Sequence, residues 1–481
     1  MNNKTRIYEI FKSDPDLRIR ELSAFTHEIT IIHLDGLANF ARLSDFVTRS
    51  IIDSEGFFDL KDLESKSMAI INLNIETSFS EMVTKLLAGF SLLFMDSCLD
   101  ALVLDTQVFD GRSIIEPPTS HVTKGPREGF VENMRTNINL MRKRLKSESF
   151  KQIILTAGKY TCTAISVCYL EGVIDQKVVD EIVTKIKNIN IDGIIDSSYV
   201  AKFIDTCRST LFKTVGNTEK PDIATAKMLE GRAIIFVDGS PIALTLPYMF
   251  IEDIQTAEDY YMSPYTATNA RYIRLLSVLG SIFIPGLYVS LQLHNYQIIP
   301  LKFLLTIMNS TQAIPLSPLS EMIVVLILFD VLREANFRMP QFAGLALSVV
   351  GGIVLGDAAV RAGILGAPAV MIGALSGIGL YTMPDNTMLF TLLRLFVTII
   401  GGVIGIYGIM ISSLIVLTYL ASLSNYGTPY LAPFAPNIPT DKKDAIIKAP
   451  FFKGIKRPKS LNSKNYTRLD MDKPPKNKNN K

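Results

Sequence analysis

The 481-residue chain contains no tryptophan and only four cysteines and four histidines. The cysteines form no CxxC pair and the histidines show no ligand spacing, so the sequence predicts no metal site. The glycine-rich phosphate loops of nucleotide-binding enzymes, the GxSxG turn of hydrolases and the HExxH helix of metalloproteases are also missing. These absences argue against an enzyme, and no cofactor is expected.

Charge is missing from long stretches of the C-terminal half. Asp, Glu, Lys and Arg do not occur in 275–301, 303–320, 339–356, 362–384 or 395–440. A helix that crosses a bilayer needs about 20 apolar residues, and these stretches supply several such lengths. The sequence therefore predicts an α-helical polytopic transmembrane domain.

Several membrane spans and one irregular segment are predicted in this domain. The segment 303–320 contains Asn309, Pro315 and Pro318. We interpret it as re-entrant or interfacial, because irregular backbone at membrane depth must be buried in protein or line water. The predicted spans are 275–293, 321–338, 342–361, 365–383, 388–404 and 406–423.

The charges that do occur divide the chain into unlike parts. Residues 1–274 hold 31 Lys or Arg against 37 Asp or Glu, whereas residues 424–481 hold 13 against four. An acidic first half argues against nucleic-acid binding. A basic segment after the last span is typical of a cytoplasmic end, and no apolar leader follows Met1, so both termini are expected in the cytoplasm.

These patterns divide the chain into an α/β soluble head of two lobes, a transmembrane domain and a tail. The tail is rich in Lys, Asn and Pro, so we expect it to be largely disordered and attracted to anionic lipid, for topology control or for regulation. The predicted regions are an N-terminal segment (1–20), a first lobe with a connector helix (21–150), a second lobe (151–270), the transmembrane helical domain (271–423) and the basic tail (424–481).

The head contains an internal duplication. GFSLLFMDSCLDALVL (89–104) matches GRAIIFVDGSPIALTL (231–246) without a gap, and IIHLDGL (31–37) matches VCYLEGV (167–173). The order is the same in both copies, so each lobe is predicted as a strand, a helix and a hairpin. Two such lobes would either clasp a small ligand between them or act as stacked scaffold modules.

The segment GPREGF (125–130) lies between the two copies, and we interpret it as the start of an amphipathic helix. This helix is either a packed connector, or a lever or subunit contact that uses Arg127 and Arg135. The apolar residues that recur at helical spacing on one face are Phe130, Met134, Ile138, Met141 and Leu145.

Charged side chains inside the apolar half are few, and a charge at mid-bilayer costs about 2.5–3.5 kcal/mol. Asp330, Arg333 and Glu334 are spaced to share one helix face, and Asp357 and Arg361 are four residues apart and are expected to pair. Either these groups lie at helix ends and reach the interface, or they line an aqueous path or contact a partner helix.

Glycines in this domain recur in small-xxx-small patterns that bring helices into close contact. They serve either packing within one chain or packing of identical helices around an axis, which would create a pore. Val354, Asp357 and Val360 would line its constriction, with Arg361 beside them. The helix-packing glycines are Gly352 and Gly356, Gly373 and Gly377, and Gly401 and Gly405.

Four segments together resemble the A subunit of the GerA-type spore germinant receptors, and the resemblance runs from residue 17 to residue 460. The segments are HVTKGPREGFVENMRTNINLMRKRLKS (121–147), LEGRAIIFVDGSPIAL (229–244), FIEDIQTAEDYY (250–261) and YGTPYLAPFAP (426–436). The family's motif in the head corresponds to Gly125, Pro126, Arg127, Glu128, Gly129, Phe130 and Arg135.

This resemblance implies a nutrient-receptor subunit in the spore inner membrane, with its head and tail on the spore core side. It implies a homo-oligomer that gates monovalent cations and works with a transporter-like B subunit and a lipoprotein C subunit. Family members usually carry a neutral amide where this chain has Asp357. A non-conducting scaffold is an alternative. A secondary transporter is less well supported, because the membrane half shows no internal repeat.

Overall fold

The structure is a computed structural model, and it describes residues 3–12, 14–24, 27–39, 43–48, 60, 73–95, 99–107, 124–207, 210–312, 314–338, 356–450 and 456–468. Within these residues the chain forms two separate five-stranded sheets, a group of apolar helices and a short two-stranded ladder near the C-terminus. All strand pairs in the described sheets are antiparallel.

The first lobe is an antiparallel sheet covered by helices. Its elements are α1 (Asn3–Phe11), β1 (Leu17–Ala24), β2 (His27–Leu34), β3 (Leu73–Glu76), α2 (Phe79–Leu87), β4 (Ser91–Met95) and β5 (Ala101–Leu104). The strand order is β1-β2-β4-β5-β3. Ile7 and Phe11 of α1 are buried against this sheet. The predicted N-terminal segment is therefore part of the first lobe, because its apolar residues complete that core.

The second lobe repeats this arrangement. Its elements are α3 (Met134–Arg144), β6 (Phe150–Ala157), β7 (Thr163–Leu170), α4 (Gln176–Lys187), α5 (Ser197–Ile204), β8 (Gly216–Thr218), α6 (Pro221–Glu230), β9 (Ala233–Val237) and β10 (Ala243–Leu246). The strand order β6-β7-β9-β10-β8 corresponds position by position to that of the first lobe. In both lobes the first two strands pair along their full length of eight residues.

The segments that match in sequence occupy equivalent strands. They contain β2, β4 and β5 in one lobe and β7, β9 and β10 in the other. The predicted unit of strand, helix and hairpin was incomplete, because the edge strands β1, β3, β6 and β8 were missed. An edge strand is covered on one side only, so its polar and apolar residues mix: β1 reads LRIRELSA and is largely exposed.

The connector helix α3 begins later than predicted. GPREGF is irregular, and the helix starts at Met134, where the Asn133 side chain accepts a hydrogen bond from the Thr136 N–H at 3.1 Å. Asparagine is a preferred N-cap residue, whereas the glycines and proline of the motif do not favour a helix interior. All five predicted face residues are buried, and they pack on the second sheet with Phe236. The connector therefore packs as part of the second lobe.

The helical domain follows a short helix, α7 (Ile251–Ile254). Pro285 lies inside the first long helix, and the next residue, Gly286, allows close contact with the helix that carries Val397. The helices are α8 (Pro264–Leu293), α9 (Leu301–Thr311), α10 (Pro318–Arg338), α11 (Ala367–Leu380), α12 (Thr387–Ile404) and α13 (Ile406–Ser422).

Two helices in the described part of the chain are long and apolar enough to cross a membrane, Pro264–Leu293 and Pro384–Ile404. Two of the other predicted spans correspond to α11 and α13, which are apolar but have only 14 and 17 residues. At 1.5 Å per residue, 14 residues extend about 21 Å, less than the roughly 30 Å of a bilayer core. The predicted span 342–361 lies mostly outside the described residues.

The first part of the tail is ordered against the head, contrary to the predicted disorder. Tyr430, Ala432, Ala445 and Leu461 are nearly inaccessible to solvent. The Tyr426 hydroxyl donates a hydrogen bond of 2.5 Å to the Ile204 carbonyl. The composition of the whole tail was misleading, because its apolar Tyr, Leu and Ala residues are concentrated near residue 430 and are available for burial.

Candidate functional site in the helical domain

The centre of the helical domain holds a buried arginine. Arg394 of α12 is 1 % exposed, and its Nη2 donates hydrogen bonds to both carboxylate oxygens of Asp330 on α10, at 2.8 and 2.9 Å. Its Nη1 donates to the Ser376 hydroxyl on α11 at 3.2 Å, and that hydroxyl donates to the Ser281 carbonyl on α8 at 2.8 Å. One buried cation therefore joins four helices.

The predicted trio of charges in α10 divides into two groups. Arg333 lies 3.3 Å from Asp330 and also donates to the Thr391 hydroxyl of α12 at 2.8 Å. Glu334 instead forms an exposed ion pair with Arg338 at 2.7 Å. Only Asp330 and Arg333 thus belong to the buried network. Arg394, its central member, was missed by sequence reasoning, although a lone charge inside an apolar run is the signal that marks such a residue.

The predicted constriction is only partly within the described structure. Val354 and Gly352 lie outside the described residues. Asp357 and Arg361 form the predicted ion pair at 2.8 Å, with side chains that are 53 % and 78 % exposed. Val360 is half-buried. An exposed pair of this kind contributes only about 0–1 kcal/mol to stability, so its position is not explained by a need to stabilise the fold.

The glycine patterns differ in what they contact. A Cβ at Gly373 would collide with Val325 of α10, and a Cβ at Gly401 would lie 2.8 Å from the Gly286 carbonyl of α8. These two glycines serve packing within one chain. Gly377 has no atom within 4 Å of its Cβ position.

The other two described glycines of the set have different surroundings. Gly356 is in ordinary contact with Val370. Gly405 adopts a φ of +80° at the break between α12 and α13, where a side chain would meet His294.

The head is tied to the first long helix through a second charged cluster. Asp259 is 1 % exposed and accepts hydrogen bonds from Arg271 at 2.9 Å and from Arg274 at 2.7 Å, both near the start of α8. Burial alone would raise the pKa of Asp259, but the two arginines lower it below its usual value. The carboxylate is therefore held in its charged form.

The tail completes this cluster from the opposite side. Arg271 also donates to the Ala445 carbonyl at 2.7 Å and to the Asp444 carboxylate at 3.1 Å. Lys448 lies 3.6 Å from the centre of the Tyr260 ring. Burial lowers the pKa of Lys448, although Asp444 opposes this shift. The beginning of α8 is thus held between the head and the tail.

The GPREGF motif contacts the same junction. Gly125 has a φ of +126°, and a Cβ there would lie 2.7 Å from the Tyr261 ring. The Tyr261 hydroxyl donates to Asp222 at 2.8 Å. Phe130 packs edge-on against Phe236, with ring centres 5.0 Å apart. The motif therefore packs against the second lobe through Phe130 and against the segment before α8 through Gly125.

The remaining motif residues lie around the connector. Glu128 pairs with Arg144 at 2.5 Å, and Arg135 reaches Asp35 of the first lobe at 3.4 Å. Gly129 is buried, Pro126 is half-buried and Arg127 is exposed. The Arg135 contact lies within one chain and joins the connector to the first lobe, with 72 % of the Arg135 side chain exposed. The lever or subunit-contact role of Arg127 and Arg135 stays a prediction.

The structure also contains a pocket that the sequence did not suggest. It has a volume of about 650 Å³ and lies between α4, the end of α5 and the end of α13. Its lining includes Glu181, Lys185, Asp205, Cys207 and Tyr419. The pocket therefore lies at the junction of head and helical domain and not between the two lobes. No cluster of metal-binding side chains occurs within the described ranges.

These features define a class of protein: a duplicated antiparallel-sheet head, clamped by buried ion pairs to helices that are apolar enough for a membrane. The family model for the Bacillus/Clostridium GerA spore germination protein matches residues 5–460. The chain belongs to this GerA family. It is a family of germination proteins and not of known enzymes.

The chain is also similar to individual proteins. Spore germination protein KA of Bacillus subtilis (strain 168) is 31% identical over 471 residues, which cover 96% of this chain and 87% of the relative. A membrane protein of the same organism, YfkQ, is 31% identical over 432 residues, covering 89% of this chain and 84% of the relative. The crystal structure of the N-terminal domain of the A subunit of the Bacillus megaterium spore germinant receptor GerK3 covers 52% of this chain and 94% of that domain, with 27% identity and a TM-score of 0.40.

Proposed function

We propose that this chain is the A subunit of a nutrient receptor that triggers spore germination, and that it assembles into a nutrient-gated cation channel in the spore inner membrane. Family membership supports the receptor role. The exposed Asp357–Arg361 pair is the single observation that carries the channel role, because it presents charge beside apolar helices without stabilising the fold. In a ring of copies, such carboxylates would face a shared aqueous path.

The outer surface of the helices supports contact with lipid and with other copies. Met371, Ile378 and Leu414 are each more than half exposed. Apolar surface on this scale requires a cover of lipid or protein. Gly377 is adjacent to Ile378 and has open space at its Cβ position, so it is a glycine available for contact with a neighbouring copy.

The contacts between tail and head support the topology. The Tyr426 hydroxyl donates a hydrogen bond to the Ile204 carbonyl, and Arg457 donates one to the Leu229 carbonyl. These contacts support a topology in which the head and the first part of the tail share one side of the membrane. The basic tail favours the cytoplasmic side, which in a spore is the core. In this arrangement the transporter-like B subunit and the lipoprotein C subunit would be the receptor partners.

A non-conducting scaffold is the second candidate. It is favoured by Gly373 and Gly401, since both glycines are used for packing within one chain and are not available for a ring. In that case the partner subunits would carry the ions, and the charged junction at Asp259 would only hold the head in place.

Reconstitution of the full-length chain distinguishes these functions. We expect particle images in nanodiscs to show a closed ring. We expect liposomes that contain the chain with its B and C subunits to release K⁺ when amino acids or sugars from a screening panel are added. A monomer in both detergent and nanodiscs would favour the scaffold, and ion release that saturates with substrate would favour a transporter.

A further inference from the structure

Glu321, a buried acid of the helical domain, has no basic partner among the described residues. Glu321, in the first turn of α10, is 1 % exposed. Its Oε1 accepts a hydrogen bond of 2.5 Å from the Gly366 N–H, at the N-terminus of α11. No ion pair to Glu321 occurs among the described residues, and the segment 339–355, which lies outside them, contains no Lys, Arg or His.

The other acids of residues 275–423 differ from Glu321 in this respect. Asp330 contacts Arg394 and Arg333, Glu334 contacts Arg338, Asp357 contacts Arg361, and Asp385 contacts Lys213 of the head. Every one of them thus has a guanidinium or ammonium group within 4 Å. Glu321 instead accepts a hydrogen bond from the backbone amide of Gly366.

The surroundings of Glu321 are apolar and nearly closed. Tyr288 of α8, Ile307 of α9 and Met322, Val325 and Leu365 form one buried cluster around this position. The Tyr288 hydroxyl is buried, lies next to the Gln292 side chain and is within electrostatic range of the Glu321 carboxyl. A hydroxyl is compatible with either state of a nearby carboxyl group, because it can accept a hydrogen bond from a carboxylic acid or donate one to a carboxylate.

We propose that Glu321 is a proton-binding site, occupied by a proton while α10 and α11 stay packed together. Moving a carboxylate out of water costs several kcal/mol of free energy even after the protein relaxes, and no opposite charge among the described residues offsets this cost. The Gly366 N–H and the positive end of the α11 dipole offset only part of the cost. A metal cation is disfavoured, because the N–H already occupies one carboxylate oxygen and the helix end repels positive charge.

The neighbouring elements supply few other charges. α11 contains no ionisable residue, and α9 contributes only Lys302, which is exposed. The helical turn 356–361 carries the mutually paired Asp357 and Arg361, and α8 contributes Tyr288. Separation of α11 from α10 would remove the Gly366 N–H and admit water, so the proton would leave. Proton occupancy is thereby linked to helix packing, and this link does not depend on whether the chain conducts ions.

Labelling with dicyclohexylcarbodiimide tests the proposal on the full-length chain in membranes. This apolar reagent adds a protonated carboxyl group across its C=N bond without a leaving group, so the modified peptide gains the mass of the whole reagent. An ordinary glutamate, with a pKa of about 4.3, is almost fully ionised at neutral pH. We expect at least about tenfold more modification of Glu321 than of Glu334, since each pKa unit changes the protonated fraction about tenfold.

One control substitution lies on the same helix as Glu321, and another changes the residue that donates its hydrogen bond. Modification should decrease as the buffer is made alkaline, should be absent in Glu321→Gln, and should persist in Glu334→Gln. Gly366→Ala should reduce it, because a Cβ would lie 2.8 Å from Oε1 and push the carboxyl from its site. Equal labelling of Glu321 and Glu334, or protection by Na⁺ or K⁺ at constant pH, would overturn the proposal in favour of an ionised or cation-binding group.

A readout that does not depend on reagent access separates an inaccessible site from an ionised one. The infrared spectrum should show the carbonyl band of a protonated carboxylic acid that is lost in Glu321→Gln and kept in Glu334→Gln. Because glutamine mimics the neutral acid, Glu321→Gln should also melt at the wild-type temperature. A missing band, together with a large loss of thermal stability in Glu321→Gln, would show that the carboxylate form is the one the fold requires.

Discussion

Arg394 and Asp330 lie 64 positions apart in the chain and are joined by two hydrogen bonds, of 2.8 and 2.9 Å, that start from one guanidinium nitrogen. The arginine is almost completely buried, whereas the aspartate is partly accessible. This pair is a charged contact between α10 and α12, and it gives the first prediction.

Asp330→Asn should destabilise the helical domain by about 3–5 kcal/mol, because the Arg394 charge would remain buried without its partner. The apparent melting temperature in detergent, followed by calorimetry, measures this effect. Glu334→Gln is the matched control on the same helix, and loss of its exposed pair with Arg338 should cost no more than about 1 kcal/mol. Equal effects of the two substitutions would contradict the assignment of Arg394 as the centre of the network.

Gly401→Ala should cost about 1–3 kcal/mol, because its methyl group would meet the Gly286 carbonyl of α8 and overpack the contact. Gly377→Ala should leave the isolated chain unchanged, since the added methyl group has open space. Melting temperature and oligomeric state are measured together. A Gly377→Ala variant that is stable but no longer assembles would identify Gly377 as part of the contact between copies.

Gly125→Ala should weaken the contact between the GPREGF motif and Tyr261. Gly125 and Gly172 both have positive φ angles, but only Gly125 would bring a Cβ against a neighbour, the Tyr261 ring at 2.7 Å. A side chain at a positive φ costs roughly 1–2 kcal/mol in the αL region, and the clash with the Tyr261 ring adds to the backbone penalty in Gly125→Ala. Proteolysis between the head and α8 is a suitable assay, and indistinguishable cleavage rates would count against a role for this contact.

The Asp259 cluster should make the junction sensitive to acid. Its pKa lies below the usual 3.8 because of Arg274 and Arg271, despite the opposing effect of burial. A depressed folded-state pKa gives a stabilisation that is complete above the unfolded-state pKa and is lost as the pH falls through the folded-state value.

The pH dependence can be measured against a variant that lacks the carboxylate. The difference in melting temperature between the wild type and Asp259→Asn should therefore be largest above about pH 4 and should shrink below it. Asp192→Asn, at an exposed position, serves as the control substitution. A difference that grows in acid would mean that the carboxyl is protonated in the folded state.

Asp357→Asn should change ion permeation without unfolding the chain, because its pair with Arg361 is exposed and contributes little to stability. If Asp357 lines the cation path, K⁺ release from liposomes should fall and discrimination against anions should weaken, as expected when a ring of carboxylates is neutralised. Val360→Ala and Val354→Ala test the same segment. Unchanged ion release in all three variants, at normal protein levels, would exclude this segment from the path.

Features that leave a pattern in the sequence were predicted correctly, and features that depend on the packing of distant residues were not. The internal duplication was sufficient to predict the two-lobed head and the order of the matching strands. Residue spacing was sufficient to predict the apolar face of α3 and the Asp357–Arg361 pair, because these depend on neighbours within a few residues. The exposed edge strands and the burial of the tail near Tyr430 were missed, since composition averages over residues that the fold treats differently.

Only the tertiary structure decided which charges meet. Arg394 finds Asp330 on another helix, Arg271 joins Asp259 to the tail, and Glu321 is left with a backbone amide instead of a cation. Burial and pairing of this kind depend on how closely whole helices approach one another. A local sequence pattern does not determine the distance between two helices.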